Sequence, residues 1–314
     1  MSSADARPFP LVPRRRFVGA RFGEHRSPRR GQGDEVAGAR PYRAGDRRTW
    51  IDWRASARLS AARGADEFVV REFFADTAPR VVVAVDRRPR MGLYEPPFPW
   101  LDKPAAIDVA VRSIGRATLA EGGDLAYVEH RNGSTVWSPP GSPALVPGRL
   151  ARRSAGTPGY PGVGAGTSPR SLESALEVLV GHASSFPVGT FVFVVSDFVD
   201  AVRPRMWLSL RALRWDVTPI VVQDPLWEQS FPDVGGVLLP VCDASTHEIA
   251  DVLLTRHESR RRASANEERL RGLLRGFTRL GFDPIVIGSS EPETIAASFD
   301  RWADRRRRLR RRTA

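Results

Sequence analysis

The sequence predicts a mostly parallel α/β fold with helices on both faces of the sheet, and three observations support this. Short apolar runs, at residues 81–85 and 190–196, are typical of strands that are buried on both faces. Amphipathic helical segments separate such runs along the chain. Both runs end at a carboxylate, Asp86 and Asp197, as is common where ligands bind at the edge of an open sheet. We therefore expect a doubly wound sheet, preceded by an N-terminal β-rich extension.

The elements of the α/β region are predicted in chain order from Pro79 onward. A helix over 104–121 has its apolar residues on one face and ends at two glycines, and two strands over 124–130 and 134–138 flank Asn132-Gly133, which is typical of a type I′ hairpin turn. The other predicted elements are strands over 67–74, 190–196, 216–222, 236–242 (antiparallel) and 283–287, and helices over 168–183, 204–215, 246–280 (with one break) and from 292 onward.

Composition divides the chain into three predicted parts. Residues 1–78 are polar and rich in arginine and glycine, and form the N-terminal extension; residues 79–302 form the α/β domain. Residues 303–314 form a basic tail. Within the domain, residues 139–169 are rich in proline and glycine, and a loop of this length is either mobile or functional.

The composition is that of a water-soluble globular protein. Hydrophobic residues make up 41% of the 314 residues, and no stretch approaches the roughly 18 consecutive apolar residues that span a bilayer. The first residues lack the apolar core of a signal peptide. The single cysteine, Cys242, cannot form an internal disulfide, which suits a reducing compartment. We expect a cytoplasmic protein without an integral membrane segment.

Arginine supplies almost all of the positive charge. The formal net charge is +12, Lys103 is the only lysine, and residues 301–314 contain eight arginines against one aspartate. This basic end would suit nucleic acid or an anionic membrane surface, but GC-rich coding also produces arginine bias. We favour the coding explanation because no interleaved aromatic residues or known reading motif accompany the basic residues.

Asp86 and Asp197 are predicted to meet at the carboxyl edge of the sheet, together with Thr167 at the start of a helix. Two carboxylates and a hydroxyl are ligands suited to Mg²⁺ or Mn²⁺. This order resembles the von Willebrand factor A domain, whose metal-dependent adhesion site uses Asp-x-Ser-x-Ser after the first strand, a later threonine and a later aspartate. The resemblance implies a fold of von Willebrand factor A type.

The chain departs from that metal site at the two serines, which are replaced by Arg88 and Arg90. A guanidinium cannot ligate a cation and stays protonated in proteins. We therefore expect a degenerate site with neither metal nor cofactor. Two arrangements remain open: a guanidinium occupies the metal position and bridges the two carboxylates, or both arginines point to solvent from a turn.

A dense N-terminal block makes the resemblance more specific. Gly31-x-Gly33, Arg40-x-Tyr42-x-x-Gly45-Asp46, Ile51-Asp52-Trp53 and Ser56-Ala57-Arg58 look like the signature of the domain of unknown function 58 family, with Ser196-Asp197-Phe198 and Asp224-Pro225 matching its later landmarks. The signature residues that we single out are Tyr42, Gly45, Asp46, Asp52, Trp53 and Arg58.

The block has a structural and a functional interpretation. In the structural one, which we favour, the aspartates and arginines form ion pairs, and Trp50 and Trp53 supply buried area. In the functional one, the block is a docking surface for a partner.

No pattern of catalytic residues stands out. The five histidines show no metal-ligand spacing, and there is neither a Gly-x-Ser-x-Gly elbow nor a complete phosphate loop. We expect a non-enzymatic protein-interaction module or adaptor, in which Asp86, Arg88, Arg90, Thr167 and Asp197 bind the partner. The family resemblance implies a MoxR-type AAA+ ATPase as that partner. The alternatives are a nucleic-acid or anionic-surface binder that uses the tail, and a metal-dependent enzyme that uses Asp86, Thr167 and Asp197.

Overall fold

The computed structural model describes residues 8–14, 36–43, 46, 48–73, 78–92, 101–131, 134–141, 171–242 and 249–313. The chain divides into two compact units. The small unit is Arg15–Ala78, and the large unit combines Met1–Arg14 with Pro79–Ala314. The first fourteen residues therefore group with the α/β region, whereas the sequence placed them in the N-terminal extension.

A six-stranded sheet in the order β10-β7-β6-β3-β4-β5 forms the centre of the large unit. Five strands are parallel, and β5 pairs antiparallel with β4 as the edge hairpin that the sequence predicted. The mostly parallel α/β class is confirmed. The strands are β3 (Arg80–Val85), β4 (Asp124–Arg131), β5 (Ser134–Gly141), β6 (Phe191–Ser196), β7 (Asp216–Val222) and β10 (Ile285–Ile287).

Helices cover both faces of this sheet because its strands are apolar on both sides. Alternate residues of β3 enter two separate hydrophobic clusters, with Val83 in one and Val82 in the other. The first cluster contains residues of α2 and α6 and of segment 8–14, and the second contains residues of α3, α4 and α5. The helices are α2 (Lys103–Ala120), α3 (Ser171–Gly181), α4 (Pro204–Ala212), α5 (Arg256–Leu280) and α6 (Pro292–Thr313).

The helix predicted over 246–280 is wrong in its first part. Residues Ile249–Leu254 form strand β9, which pairs antiparallel with β8 (Val237–Cys242) in a separate two-stranded ribbon. The helix begins only at Arg256, because the Thr255 hydroxyl accepts the Glu258 N–H at 3.1 Å and caps it. The Thr255 cap and the pairing of β9 with β8 set the start of the helix. Helical periodicity in the sequence does not reveal this start.

Residues 303–313, which we predicted to be a separate basic tail, continue α6 without a break. Arg306 within this stretch is buried. Its two terminal nitrogens each lie 2.9 Å from a different oxygen of Asp216, and Nη1 also donates to the carbonyl of Val12 at 3.0 Å. The guanidinium carbon lies 4.2 Å from the ring centroid of Trp302. This part of the tail therefore closes the amino edge of the sheet.

Among the described residues of the small unit, a helix separates two strands along the chain. Strands β1 (Val36–Pro41) and β2 (Val69–Phe73) pair antiparallel, and α1 (Trp53–Arg63) lies between them in sequence. The Asp52 carboxylate caps α1 by accepting the Ala55 N–H at 3.0 Å. The helix ends at Gly64, whose φ of +67° suits glycine.

Within the described part of the chain, every helix is too short or too polar to cross a membrane.

Candidate functional site

The carboxyl edge of the large unit's sheet holds a cluster of ionic and hydroxyl side chains, most of them buried, which we call the edge cluster. It consists of Asp86, Arg88, Lys103, Ser171, Ser196, Asp197, Asp200 and Glu228. The side chains come from the ends of strands and the starts of helices, which parallel topology brings to one edge. Asp86 and Asp197 therefore meet where the sequence predicted.

Asp86 is the centre of the edge cluster. It follows β3 directly, and its N–H donates to the carbonyl of Val195 on the neighbouring strand at 2.9 Å. The Arg88 side chain turns back on it: Nε lies 3.0 and 2.9 Å from the two carboxylate oxygens, and Nη2 lies 2.5 Å from Oδ2. The Arg88 backbone N–H also donates to Oδ1 at 3.0 Å.

The Arg88 guanidinium also reaches the second carboxylate. Nη2 lies 3.5 Å from Asp197 Oδ1, and Nη1 donates to Asp200 Oδ2 at 2.7 Å. Burial alone would lower the pKa of Arg88, but Asp86, Asp197 and Asp200 outweigh this effect and raise it above its ordinary value. Of the two arrangements that the sequence left open, Arg88 adopts the bridge between carboxylates.

Arg90 does not share this role. Its backbone carbonyl accepts a hydrogen bond from Lys103 at 3.5 Å. Among the described residues, its half-buried side chain enters none of the ion pairs of the edge cluster. The two arginines that follow Asp86 at positions 88 and 90 therefore differ: Arg88 points inward, and Arg90 contributes its backbone.

Lys103 is a second buried cation that the sequence reasoning did not assign to the site. Its Nζ lies 2.6 Å from Glu228 Oε1 and 3.4 Å from Asp197 Oδ2. Burial raises the pKa of Glu228 above its ordinary value, and the Lys103 ammonium opposes this shift. One signal was available, since Lys103 is the only lysine in a chain that otherwise uses arginine.

Two hydroxyls complete the surroundings of Asp86. Ser196 Oγ donates to Oδ2 at 2.6 Å, and Ser171 Oγ donates to Oδ1 at 3.2 Å. Thr167, the predicted hydroxyl, lies outside the described residues. The hydroxyl that reaches Asp86 from this part of the chain is that of Ser171, the first residue of α3.

These residues do not fit a divalent cation. Arg88 Nη2 lies between the oxygens of Asp86 and Asp197 that would have to coordinate the metal. Asp86 accepts hydrogen bonds at both oxygens, and Lys103 faces the second oxygen of Asp197. A divalent ion would meet two positive side chains within a low-dielectric site, where like charges repel strongly.

The edge cluster exposes one carboxylate, that of Asp200, to solvent, whereas its two cations, Arg88 and Lys103, are buried. The Arg88 side chain is 8% exposed, whereas that of Asp200, which it contacts, is 57% exposed. We predicted that Arg88 is one of the residues that bind a partner, which requires its side chain to face outward. That role does not suit the observed geometry, because Arg88 is already engaged by Asp86, Asp197 and Asp200.

Arg87, next to the cluster, turns toward β4. Its Nε lies 2.8 Å from Glu129 Oε2, and the hydroxyl of Tyr127 donates to the same oxygen at 2.6 Å. Burial raises the pKa of Tyr127 above its ordinary value. Arg87 thus pairs with a different buried carboxylate from Arg88.

The signature block lies in the small unit, and its residues separate into two kinds. Asp46 accepts two hydrogen bonds of 2.7 Å from the Arg40 guanidinium, which lower its pKa to about 2. Asp52 caps α1 and pairs with Arg71 at 3.0 Å. Both aspartates therefore have the structural role that we favoured, while Gly45 lies outside the described residues.

The aromatic side chains of the block contradict the structural interpretation. Trp53, predicted to supply buried area, is 63% exposed at the first turn of α1. Tyr42 and Arg58 are exposed as well. Trp50 is only half-buried.

Comparison with known proteins identifies a family but no characterised relative. The model of the family described as "Protein of unknown function DUF58" matches residues 38–271. No curated protein matches the chain.

Several solved structures are similar to the chain, but only at low TM-scores and low sequence identity. BatB from Bacteroides thetaiotaomicron, a conserved hypothetical protein, is 11% identical with a TM-score of 0.40, over 72% of this chain and 99% of that one. An aerotolerance-related membrane protein from Bacteroides fragilis is 12% identical with a TM-score of 0.40, over 72% and 99%. The pilus adhesin SpaC from Lactobacillus rhamnosus GG is 10% identical with a TM-score of 0.41, over 74% and 31%. Similarity at this level says nothing about activity.

Proposed function

The chain belongs to the DUF58 family of proteins of unknown function, and we propose that it is a non-enzymatic protein-interaction module. Its large unit is a domain of von Willebrand factor A type with a degenerate adhesion site, in which Arg88 replaces the metal ion. The partner surface is the carboxyl edge of the sheet around the exposed Asp200, and the buried Asp86, Arg88 and Asp197 hold this edge in place.

The placement of the Arg88 guanidinium between Asp86 and Asp197 carries this proposal. A general acid or base needs a carboxyl group that can exchange a proton with substrate. Here both aspartates are buried and bonded to Arg88, so their role is to hold the edge in one arrangement. A rigid edge with an exposed carboxylate suits recognition of another protein.

The family resemblance suggests the partner, a MoxR-type AAA+ ATPase. In this proposal Arg88 does not contact the partner. It positions the exposed Asp200, to which it donates a hydrogen bond. The partner would then contribute a cationic side chain, because an exposed carboxylate pairs with arginine or lysine across an interface.

Co-purification with the MoxR-type ATPase tests the proposal. Asp200→Ala removes the exposed carboxylate, and we expect it to reduce recovery of the ATPase severalfold. Asp304→Ala is the matched control, since Asp304 is similarly exposed and also pairs with an arginine. Unchanged recovery with Asp200→Ala, and also with Arg88→Ala plus Arg90→Ala, would contradict the assignment of this surface.

Calorimetry with Mg²⁺ tests the degenerate site on the unmodified protein. We expect no heat of binding, because Arg88 occupies the position that the metal would take. Micromolar Mg²⁺ binding that is lost in Asp86→Asn would revive the metal-dependent alternative.

The alternative of a nucleic-acid or anionic-surface binder has less support. Within the basic end, Arg305 bonds to Asp283, Arg306 bonds to Asp216, and Arg310 donates to the carbonyl of Pro13. These arginines hold α6 against its own unit, which reduces the charge that is free to meet phosphate groups.

A further inference from the structure

The small unit carries an exposed group of aromatic rings that the proposed function does not use. Tyr42, Trp53 and Phe68 form this aromatic patch. The Phe68 ring lies 6.4 Å from that of Tyr42 and 6.0 Å from that of Trp53, centroid to centroid, in edge-to-face arrangements. Their exposed fractions are 38% for Tyr42, 63% for Trp53 and 44% for Phe68.

The backbone holds the three rings in one place. The Tyr42 N–H donates to the carbonyl of Phe68 at 2.8 Å, which ties the end of β1 to the start of β2. Trp53 is the first residue of α1, and Asp52 joins this helix to β2 by donating its N–H to the carbonyl of Val69 at 2.8 Å. The patch is therefore held by paired backbone and a capped helix.

The charges around the patch are unevenly matched. Its acidic neighbours are already engaged, since Asp46 pairs with Arg40, and Asp52 pairs with Arg71. In contrast, three exposed arginines have no acidic partner among the described residues; they are Arg48, Arg54 and Arg58. Arg54 follows Trp53, and Arg58 lies about one helical turn further along α1, so unpaired positive charge lies beside the rings.

We propose that the aromatic patch is a docking surface for an acidic protein segment that carries an apolar side chain. Tyrosine, tryptophan and arginine are the residue types that contribute most at protein interfaces. The rings would cover the apolar side chain, and the unpaired arginines would bind its flanking carboxylates. This inference goes beyond the proposed function, because it concerns the other unit and its signature residues.

A protein segment fits these observations better than single-stranded nucleic acid does. Stacked bases bring a continuous row of phosphates, which require uninterrupted positive charge. Asp46 and Asp52 lie in the same segment as the rings and would repel such a row. Separate carboxylates on a peptide can instead meet Arg54 and Arg58, which lie about one turn apart on α1.

Selection from a random peptide display library on the full-length protein tests the proposal. We expect enriched peptides to be rich in aspartate and glutamate around one aromatic or aliphatic residue. Their affinity, measured by fluorescence anisotropy, should fall about tenfold or more in Trp53→Ala, as for a central interface residue. Leu309→Ala is the control, because Leu309 is a similarly exposed apolar residue outside the patch.

The charge-reversal variant Arg54→Glu plus Arg58→Glu keeps the test valid if Trp53→Ala does not fold, because both side chains are exposed. It should weaken binding by a similar factor, whereas Arg308→Glu, at an exposed position of α6, should not. Enrichment of basic peptides, no enrichment, or equal binding by variants and unmodified protein would overturn the proposal. Tighter binding of labelled oligothymidine that requires Trp53 would replace the protein partner with nucleic acid.

Discussion

Arginine–aspartate pairs with several hydrogen bonds occur in both units, but they differ in burial. In the large unit, the side chains of Arg88 and Asp86 are 8% and 0% exposed. In the small unit, the side chains of Arg40 and Asp46 are 28% and 13% exposed. The two terminal nitrogens of Arg40 nevertheless each lie 2.7 Å from an oxygen of Asp46. Similar bonding therefore holds a buried edge together in one unit and braces a surface turn in the other.

Burial decides what each pair contributes. A buried charge cannot regain water when its partner is removed, so breaking such a pair costs far more than its net stabilisation. An exposed pair exchanges its hydrogen bonds for water at little cost. We therefore expect the two units to respond differently to the same kind of substitution.

The largest effect is expected from Arg88→Ala. It leaves Asp86 and Asp197 buried without their shared cation, which should lower the free energy of unfolding by about 3–5 kcal/mol. Chemical denaturation followed by circular dichroism measures this. A loss below about 1 kcal/mol, the size of an exposed pair, would show that the edge cluster is hydrated.

A comparable loss is expected from Arg306→Ala at the opposite edge of the same sheet. The substitution removes the buried partner of Asp216 and the hydrogen bond to the carbonyl of Val12. We expect about 3–5 kcal/mol, by the same argument. Arg308→Ala, at an exposed position of the same helix, is the control and should have little effect.

Arg88→Ser distinguishes the two buried arginines from each other. A serine at position 88 supplies one of the two serines of the adhesion-site pattern and removes the guanidinium between Asp86 and Asp197. Under the proposed degenerate site, Mg²⁺ should therefore stabilise this variant, by about 2.7 kcal/mol at a hundredfold excess over Kd. Arg306→Ser should gain no such dependence. Thermal unfolding with and without Mg²⁺ measures both, and equal responses would argue against a former metal position at Arg88.

The smallest effect on stability is expected from Arg40→Ala in the small unit. The Arg40 guanidinium, together with the Arg43 backbone N–H, lowers the pKa of Asp46 to about 2, from an ordinary value of 3.8. A lowered folded-state pKa stabilises the fold above pH 3.8, and this contribution is lost as the pH falls through about 2. In Arg40→Ala the pKa of Asp46 should rise toward 3.8, which carboxyl NMR titration measures. An unchanged pKa would contradict the assignment of the shift to Arg40.

Several features were predictable because they depend on short stretches of sequence. The runs at 81–85 and 190–196 are strands, and Asp86 and Asp197 meet after them. The block around Asp46 and Asp52 also indicated the family, which the match over 38–271 confirms. The helix predicted over 246–280 was partly wrong, because the pairing of β9 with β8 outweighed its local periodicity.

The burial of side chains was harder to predict than the elements. Trp53 belongs to a residue type that is usually well buried, yet it lies exposed on the first turn of α1. Whether a tryptophan is covered depends on which elements pack over it. The same applies to Arg306, which lies in a stretch that we predicted as a separate basic tail and which is buried.

The sequence by itself determined the α/β class and the strand ends that bear carboxylates, because these follow from periodicity and residue chemistry. Only the tertiary structure decided that Arg88 turns inward while Arg90 does not, and that Lys103 pairs with Glu228, 125 residues away. The pairing of distant charges depends on how strands and helices meet at the edge of the sheet. That arrangement arises from packing of the whole domain, which no local stretch of sequence specifies.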